Sequence, residues 1–279
     1  MKNGILLIDK PKCITSRDVV NIICKKLNTK KVGHTGTLDP LATGLMIICV
    51  NKATSLVELI TSEDKEYIAN VKLGVMTDTL DITGKVLDEE HNYKLDSETL
   101  KKALNSFIGS YYQEVPIYSA IKVNGKKLYE YARNSVDIEL PKKLVSIKNI
   151  DLIDFNNDNF TFKVKVSKGT YIRSLIRDIG SKLGIYMTMN ELRRTKINEY
   201  DVCDAKKIDS FDENDIILIE DFLTIPKIVV DDNLEKKVLN GVRIKNIYDA
   251  DMVMFVNNER LLAIYKCNDK NELCMYKLF

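Results

Sequence analysis

The residue most suited to chemistry is Asp39, a single carboxylate in a loop of small residues. The run 33–44, GHTGTLDPLATG, holds three glycines and one proline, which indicates a tight loop of defined shape. Pro40 biases the backbone of Asp39 toward extended geometry, and the six apolar residues 45–50 predict a buried strand after the loop. A carboxylate held in this way is suited to act as a base or a nucleophile. The same residues would also form an ordinary Asp-Pro turn.

Motifs for nucleotide, metal or redox chemistry are missing from the sequence. There is no Gly-Lys-Ser/Thr phosphate loop and no Gly-x-Gly-x-x-Gly fingerprint. The two histidines and the six cysteines show no spacing typical of metal ligands or paired disulfides. We therefore expect no cofactor, no metal and reduced thiols. Because no apolar run approaches ~18 residues and no secretory signal is recognisable, we expect a cytoplasmic protein without a membrane span.

The charge is unevenly distributed, although the formal net charge is only +2. Residues 163–196 contain nine basic side chains against two acidic ones, whereas residues 209–235 contain nine acidic side chains against one lysine. Basic segments of this kind fit a polyanionic partner such as a nucleic acid. Solvent-exposed faces would give the same pattern.

Residues 110–135 combine aromatic and basic side chains. Five tyrosines, three lysines and Arg133 occur there: Tyr111, Tyr112, Tyr118, Tyr129, Tyr131, Lys122, Lys126, Lys127 and Arg133. Rings can stack on bases while cations meet phosphates, so this segment fits RNA binding. An amphipathic hairpin with lysine stems lying along its apolar side is the structural alternative.

Strand and helix patterns alternate irregularly along the chain. Strand patterns occur at 4–8, 45–50, 65–74, 144–155 and 160–168. Helical patterns follow Thr15-Ser16, with Ser16 as the expected N-cap, and follow 96–98 and the turn at Gly169. After an acidic helix or connector at 209–223, short apolar runs beyond Pro226 predict a small β-rich module. This order favours an α+β fold with a large, mostly antiparallel sheet.

Two stretches resemble the pseudouridine synthases that modify the T-loop of transfer RNA, the TruB family. The loop 33–44 with its following strand resembles the catalytic motif of that family, and the opening run GILLIDKP, 4–11, resembles the strand before it. The resemblance implies the pseudouridine synthase fold. The catalytic domain would span 1–225, with an RNA-clamping thumb at about 110–135, and a small PUA-like RNA-binding module would span 226–279.

The resemblance also implies roles for four residues around one active site. Asp39 matches the essential aspartate, and Tyr67 in Lys-Glu-Tyr matches the tyrosine that stacks on the target base. Arg173 in Gly-Thr-Tyr-Ile-Arg matches the arginine that pairs with the catalytic carboxylate. Leu192 in Leu-Arg-Arg-Thr matches an apolar wall of the pocket. Without the resemblance, Tyr67 and Leu192 read as core residues and Arg173 as a surface helix residue.

The implied substrate is the uridine at position 55, in the T stem-loop of transfer RNA. That base must flip out of a folded loop. His34 matches the motif histidine that enters the disrupted loop, and Lys10 matches a lysine near the RNA with a mainly structural effect. The run YSAIKVNG, 118–125, matches the thumb, which we expect to be disordered without RNA. We expect a monomer that needs no protein partner.

Two other functions remain compatible with the sequence. One is an RNA-binding or RNA-folding protein of the same fold without catalysis, which would not need Asp39, Tyr67 and Arg173 together. The other is a synthase of the same family that acts on another RNA, including relatives that work with a guide inside a ribonucleoprotein.

Overall fold

The structure, a computed structural model, describes residues 2–61, 64–134, 136–257 and 260–279. Within them the seven α-helices, α1 to α7 in chain order, span Ser16–Lys26, Val57–Thr61, Ser97–Asn105, Leu128–Arg133, Ile172–Leu183, Ile219–Phe222 and Asp232–Leu239. Three 3-10 helices span Asn51–Leu56, Val202–Asp204 and Glu213–Asp215.

The described strands are numbered β1 to β20 in chain order. They span Gly4–Lys10, Val32–His34, Thr43–Val50, Lys65–Leu73, Val75–Thr77, Val86–Glu89, Gly109–Glu114, Lys122–Val123, Lys126–Lys127, Lys142–Phe155, Asn159–Val166, Met187–Ile197, Tyr200–Asp201, Lys206–Lys207, Ile217–Leu218, Lys227–Val229, Ile244–Lys245, Met252–Asn257, Arg260–Cys267 and Glu272–Leu278.

Eleven strands form one large sheet. Its main path runs β14-β1-β3-β12-β4-β11-β10-β7, and β2, β13 and β15 pair off this path. The pairs β1–β14 and β3–β12 are parallel, whereas β1–β3, β4–β12, β4–β11, β10–β11 and β7–β10 are antiparallel. The predicted α+β class with a mostly antiparallel sheet is therefore confirmed.

Strand β3 is buried on both faces, which explains its uninterrupted apolar sequence. Met46 and Ile48 pack into the core on the side of α1 and α5, while Leu45 and Ile47 pack into a second core. That second core also contains Met254 and other residues of the C-terminal sheet. A strand covered on both sides gains from apolar residues at every position, not only at alternate ones.

Strands β4 and β11 instead alternate buried and partly exposed residues. Phe160, Phe162 and Val164 of β11 are buried in the first core, and their neighbours along the strand are half-exposed or exposed. This alternation with period two is the pattern that predicts these strands from the sequence.

The N-cap of helix α1 lies one residue earlier than the sequence predicts. Thr15, not Ser16, is the N-cap: its hydroxyl accepts a hydrogen bond from the Asp18 backbone N–H, and the Asp18 carboxylate accepts one from the Thr15 N–H. This reciprocal pair is a capping box. Ser16 is buried, and its hydroxyl bonds to the loop that carries Asp39.

Helix α5 forms as its sequence predicts. Ile172, Leu175, Ile176 and Ile179 recur with the helical period and are buried in the first core. The helix ends at Gly184, whose φ of 68° lies in the left-handed region that glycine adopts without strain. The buried stripe anchors the helix and directs Arg173, in its first turn, toward the loop of Asp39.

The aromatic and basic segment comprises one strand of the main sheet and a small folded unit. Gly109–Glu114 pairs with β10 at the edge of the sheet, so the thumb predicted from about 110 includes a sheet strand. Beyond it, β8 and β9 form a hairpin that leads into α4. The last predicted thumb residue, Ser135, lies outside the described residues.

The C-terminal residues form a five-stranded sheet in the order β16-β18-β19-β20-β17. Phe255 and Tyr265 face a third core closed by α7, whereas Met254 and Ile264 face the core shared with β1 and β3. The predicted β-rich module is present, and it packs against the large sheet through apolar contacts. The acidic connector at 209–223 contains β15, which pairs with β1, and α6.

Among the described residues, no helix combines the length and the apolar character that crossing a membrane requires.

Candidate active site

Asp39 lies in the loop between β2 and β3, and the Lys10 side chain holds this loop in place. The Lys10 side chain is fully buried, and its Nζ donates to the carbonyl oxygens of Pro11, Ile14 and Pro40 at 2.9, 2.7 and 3.3 Å. Burial lowers the pKa of Lys10 to about 8, while the nearby Asp39 carboxylate opposes that shift. Three carbonyl acceptors satisfy an otherwise costly buried ammonium, and one of them belongs to the residue after Asp39.

Ser16 fixes the loop on the other side of Asp39. Its hydroxyl donates to the Leu38 carbonyl oxygen at 3.0 Å and accepts from the Leu38 N–H at 2.8 Å. Both backbone groups of Leu38 are thereby satisfied in a buried place. The residues immediately before and after Asp39 are thus each held by a side chain from the β1–α1 region.

Arg194 ties the two ends of the loop together. It is only 1% exposed, and it donates from Nη2 to the Gly36 carbonyl oxygen at 3.1 Å and from Nε to the Leu45 carbonyl oxygen at 2.6 Å. Gly44, at φ 107°, passes so near the Arg194 backbone that a Cβ would lie 2.2 Å from its carbonyl oxygen. Only glycine fits that close approach of β3 to β12.

Arg173 pairs with Asp39 through two hydrogen bonds. Nε donates to Oδ2 at 2.9 Å and Nη2 donates to Oδ1 at 3.1 Å, which is the bidentate arrangement that guanidinium and carboxylate groups favour. The Arg173 side chain is 5% exposed, whereas that of Asp39 is 34% exposed. The arginine therefore lies behind the carboxylate, and the carboxylate faces the open side.

Arg173 also holds two further segments. Nη1 donates to the Thr79 carbonyl oxygen at 2.9 Å, and Nη2 donates to the Tyr118 carbonyl oxygen at 3.1 Å. The Thr79 turn is shaped by Asp81, a buried residue whose carboxylate accepts from the Thr79 hydroxyl and from Thr83. One guanidinium thus joins the Asp39 loop, the turn after β5 and the start of the thumb segment.

Tyr67 and Leu192 are buried side chains on the two strands β4 and β12. Each is 7% exposed, and both belong to the large buried cluster that also includes Leu38 and Leu41. Strand pairing places Tyr67 opposite Arg194, whose guanidinium binds the Asp39 loop at Gly36. The Leu192 carbonyl oxygen accepts from the Thr43 hydroxyl at 3.5 Å, directly after that loop.

His34 lies at the end of β2, paired with Ile48 of β3. Its Nδ1 is buried and lacks a hydrogen-bond partner among the described residues. Burial lowers the pKa of His34, and the positive charges of Arg194 and Arg17 act in the same direction. The ring is consequently neutral at neutral pH.

Tyr171, two residues before Arg173, is a further aromatic side chain at this place. Burial raises the pKa of its hydroxyl, and the charges of Arg173 and Asp39 act on it in opposite directions. At neutral pH it is a protonated phenol beside the ion pair.

Metal binding finds no support in the described residues, because no group of three or more His, Cys, Asp or Glu side chains is arranged to hold an ion there. All six cysteines are free thiols. The Asp39 carboxylate, with the Arg173 guanidinium bound to it and the Tyr171 phenol close by, suits proton transfer and nucleophilic attack at carbon.

Several contributors to the site carried no sequence signal. Thr79 and Tyr118 take part through backbone carbonyl oxygens, which any residue type supplies. The sequence predicts Ser16 as a helix cap, and it marks Arg194 only as part of the Leu-Arg-Arg-Thr motif. A buried serine or arginine becomes recognisable only when the backbone groups that it satisfies are known.

Comparison with known proteins shows the family to which this chain belongs. Residues 24–172 match the family described as TruB family pseudouridylate synthase (N terminal domain). A protein of Clostridium tetani, named tRNA pseudouridine synthase B, is 42% identical over 272 residues, covering 96% of this chain and 90% of the relative. The protein of the same name from Bacillus subtilis is 40% identical over 287 residues, covering 95% and 93%.

Solved structures agree on the fold. A Cbf5-Nop10-Gar1 complex contains a chain that matches with a TM-score of 0.71 at 24% identity, covering 99% of this chain and 84% of that one. A chain of an H/ACA RNP bound to a substrate RNA containing 2'-deoxyuridine matches with a TM-score of 0.70 at 23% identity, covering 99% and 84%. At such identities the likeness concerns the fold alone.

Proposed function

This chain belongs to the TruB family of pseudouridylate synthases, and we propose that it isomerises uridine to pseudouridine at position 55, in the T-loop of transfer RNA. The observation that carries this proposal is the bidentate contact of the buried Arg173 with the partly exposed carboxylate of Asp39. Its curated relatives are tRNA pseudouridine synthases, which are isomerases.

The isomerisation needs a carboxylate more than any other group. The bond between N1 of uracil and C1′ of ribose breaks, the uracil turns, C5 bonds to C1′, the proton on C5 leaves, and N1 gains a proton. Substrate and product are isomers, so the reaction has no need of an oxidant or a phosphate donor. Asp39 serves as the nucleophile toward the sugar or as the base that deprotonates it.

We assign the neighbouring residues to holding the flipped base and the carboxylate. Tyr67 stacks on the uracil, Leu192 closes the pocket, and Arg173 orients the Asp39 carboxylate toward the sugar. Lys10 acts on the backbone of the loop, because its ammonium donates to the Pro40 carbonyl oxygen. A carboxylate fixed on both sides of its backbone pays little reorganisation when the sugar arrives.

His34 is proposed to fill the space that the flipped uridine leaves in the RNA. Its place at the end of β2, five residues before Asp39 and neutral at neutral pH, supports a role by stacking or hydrogen bonding and not by charge. Flipping a base from a folded loop costs a few kcal/mol, which a ring occupying the gap offsets.

Residues 226–279 are proposed to be a PUA-like RNA-binding module, after a catalytic domain spanning 1–225. The C-terminal sheet that starts at Lys227 supports this division. The hairpin and α4 are proposed to act as the thumb that closes on RNA. There Lys127 and Arg133 lie 5.3 Å from the ring of Tyr129, a pairing of cations and aromatic face that also suits bases and phosphates. Mobility of this thumb without RNA stays a prediction.

We further propose that the enzyme acts as a cytoplasmic monomer. All the side chains assigned above come from one chain, and free thiols suit a reducing compartment. Sedimentation velocity should give one species near 31.9 kDa; a stable dimer would contradict the monomer.

The direct test maps pseudouridine in a transfer RNA transcript incubated with the purified protein alone. Carbodiimide labelling and primer extension should show one product site, at position 55, and none in a transcript with cytidine there. An isolated T stem-loop should also be modified. A product at another position would favour a different RNA target, and tight binding without product would favour an RNA-binding protein without catalysis.

A further inference from the structure

Gln113 is a buried amide whose hydrogen-bonding groups are all engaged near the active site. Its side chain is 1% exposed. Oε1 accepts from the Tyr171 backbone N–H at 2.8 Å, while Nε2 donates to the Tyr171 carbonyl oxygen at 3.1 Å and to the Tyr111 hydroxyl at 2.7 Å. Both amide protons and the oxygen are used, so the orientation of the amide is fixed by its partners.

These contacts supply the acceptor for the N–H of the N-cap residue, which in a capping box comes from the side chain at N3. Tyr171 is the N-cap residue of α5, and its own side chain makes no capping hydrogen bond. The first turn of a helix leaves backbone N–H groups unpaired, and Gln113 satisfies the one at Tyr171 from the edge strand β7. Arg173 follows two residues later, so the place where α5 begins determines where the guanidinium meets Asp39.

The same end of β7 is fastened to the next turns of α5. The Glu114 carbonyl oxygen accepts from the Ser174 hydroxyl at 2.8 Å and from Arg177 Nη2 at 3.3 Å, and its carboxylate accepts from Arg177 Nη1 at 3.0 Å. Directly beyond Glu114 the chain enters the thumb segment, whose Tyr118 carbonyl oxygen binds Arg173. Strand β7 is therefore bonded to the helix that carries the arginine, and it leads directly into the segment of the hairpin and α4.

We propose that Gln113 is a positioning residue for the reaction. It fixes the start of α5 relative to β7, so that Arg173 holds the Asp39 carboxylate in the orientation that attack on the sugar requires. Through the same hydrogen bonds, Gln113 couples the position of β7 to the ion pair of Arg173 and Asp39. This inference rests on the proposed synthase activity, and it concerns the chemical step, not the binding of RNA.

The first test substitutes Gln113→Leu, which keeps the bulk and removes all three hydrogen bonds. We expect the single-turnover rate on transfer RNA to fall about 30-fold, because a small misplacement of reacting groups is costly. The affinity for transfer RNA should change less than about threefold, since no proposed RNA contact is removed. The matched control is Ser181→Ala, which removes a hydroxyl of the same helix whose hydrogen bond goes to the Arg177 carbonyl oxygen and not to β7; its rate should stay within about twofold of wild type.

Gln113→Glu gives a second test that does not depend on the leucine variant folding. An ionised carboxylate accepts from the Tyr171 N–H but offers no proton to the Tyr171 carbonyl oxygen, whereas the protonated acid does. The groups that face this position are Tyr111 on β7 and Arg177 and Asp178 on α5. We expect the rate deficit relative to wild type to shrink from about 30-fold at pH 8.5 to under about fivefold at pH 6.

The possible results separate this inference from the proposed function. An active wild type with an unimpaired Gln113→Leu variant would overturn the positioning role alone. So would an equal loss in Ser181→Ala, because the loss would then reflect the general stability of α5, or a Gln113→Glu deficit that is the same at both pH values. A wild type that forms no pseudouridine would contradict the synthase activity itself.

Discussion

Arg173 binds both carboxylate oxygens of Asp39, from Nε at 2.9 Å and from Nη2 at 3.1 Å, across 134 positions of sequence. The same guanidinium holds the backbone of Thr79 and of Tyr118. Because the planar fork makes all four contacts at once, its geometry determines where the carboxylate points.

Replacing Arg173 by lysine should therefore be severe although the charge is kept. An ammonium cannot make the bidentate contact and reach both carbonyl oxygens. We expect Arg173→Lys to lower the single-turnover rate by about 100-fold, because the carboxylate loses its fixed direction. Rapid-quench measurement of pseudouridine formation would show this. A rate within threefold of wild type would mean that positive charge alone suffices behind Asp39.

Ser16 and Thr15 give a matched pair of hydroxyl deletions at the start of α1. Ser16→Ala leaves both backbone groups of Leu38 without their partner, which should lower the free energy of unfolding by about 1–3 kcal/mol and slow the reaction by loosening the loop of Asp39. Thr15→Ala removes a helix cap worth about 1 kcal/mol and should leave the rate unchanged. Urea denaturation and rate assays on both variants check this. Equal effects of the two variants on the rate would contradict a role of Ser16 in holding the loop.

The two hydroxyls also show which features of the fold the sequence predicts and which it does not. The alternation in β4 and β11, the apolar run of β3 and the helical period of α5 predicted their elements, because burial selects side chains with the period of the backbone. The identity of the N-cap does not follow from the sequence, since serine and threonine can both cap a helix and only the tertiary position of Leu38 decides which hydroxyl is needed elsewhere.

For the site, the family resemblance pointed to Asp39, Tyr67, Arg173 and Leu192, and composition alone did not. The sequence does not predict that Arg173 binds the carbonyl oxygens of Thr79 and Tyr118, because every residue type has a backbone carbonyl oxygen. Gln113 lay within a segment judged by its aromatic and basic content, in which a single uncharged amide gives no pattern. Its three partners appear only when β7 and α5 are packed together.

The lowered pKa of His34 makes stability depend on pH in one direction. Below the ordinary value of 6.5, the unfolded chain binds a proton at this residue more readily than the folded one. Relative to a His34→Gln variant, the wild type should therefore lose free energy of unfolding as the pH falls below 6.5. Above that pH the two proteins should show the same pH dependence. Denaturation curves between pH 5 and 7.5 measure the difference. A gain in stability of the wild type on acidification would contradict the buried, neutral ring.

The core shared by the two sheets predicts that they unfold together. Ile264 of β19 is fully buried against β1 and β3, so Ile264→Ala should lower the free energy of unfolding by about 2–5 kcal/mol. Val229, 77% exposed on β16, is the matched control, and Val229→Ala should change it by less than about 0.5 kcal/mol. Far-ultraviolet circular dichroism and loss of activity should give coincident transitions. A separate early transition that leaves activity intact would show that the C-terminal sheet is independent.

The central claim is that the carboxylate of Asp39 carries out the isomerisation. Asp39→Asn keeps the size of the side chain and removes the charge. The measurement is the rate at which this variant forms pseudouridine at position 55 of a transfer RNA transcript under single-turnover conditions. The account predicts a rate at least about 1,000-fold below wild type, with the affinity for transfer RNA within about threefold. Product formed by the variant at the wild-type rate would contradict the assignment of Asp39.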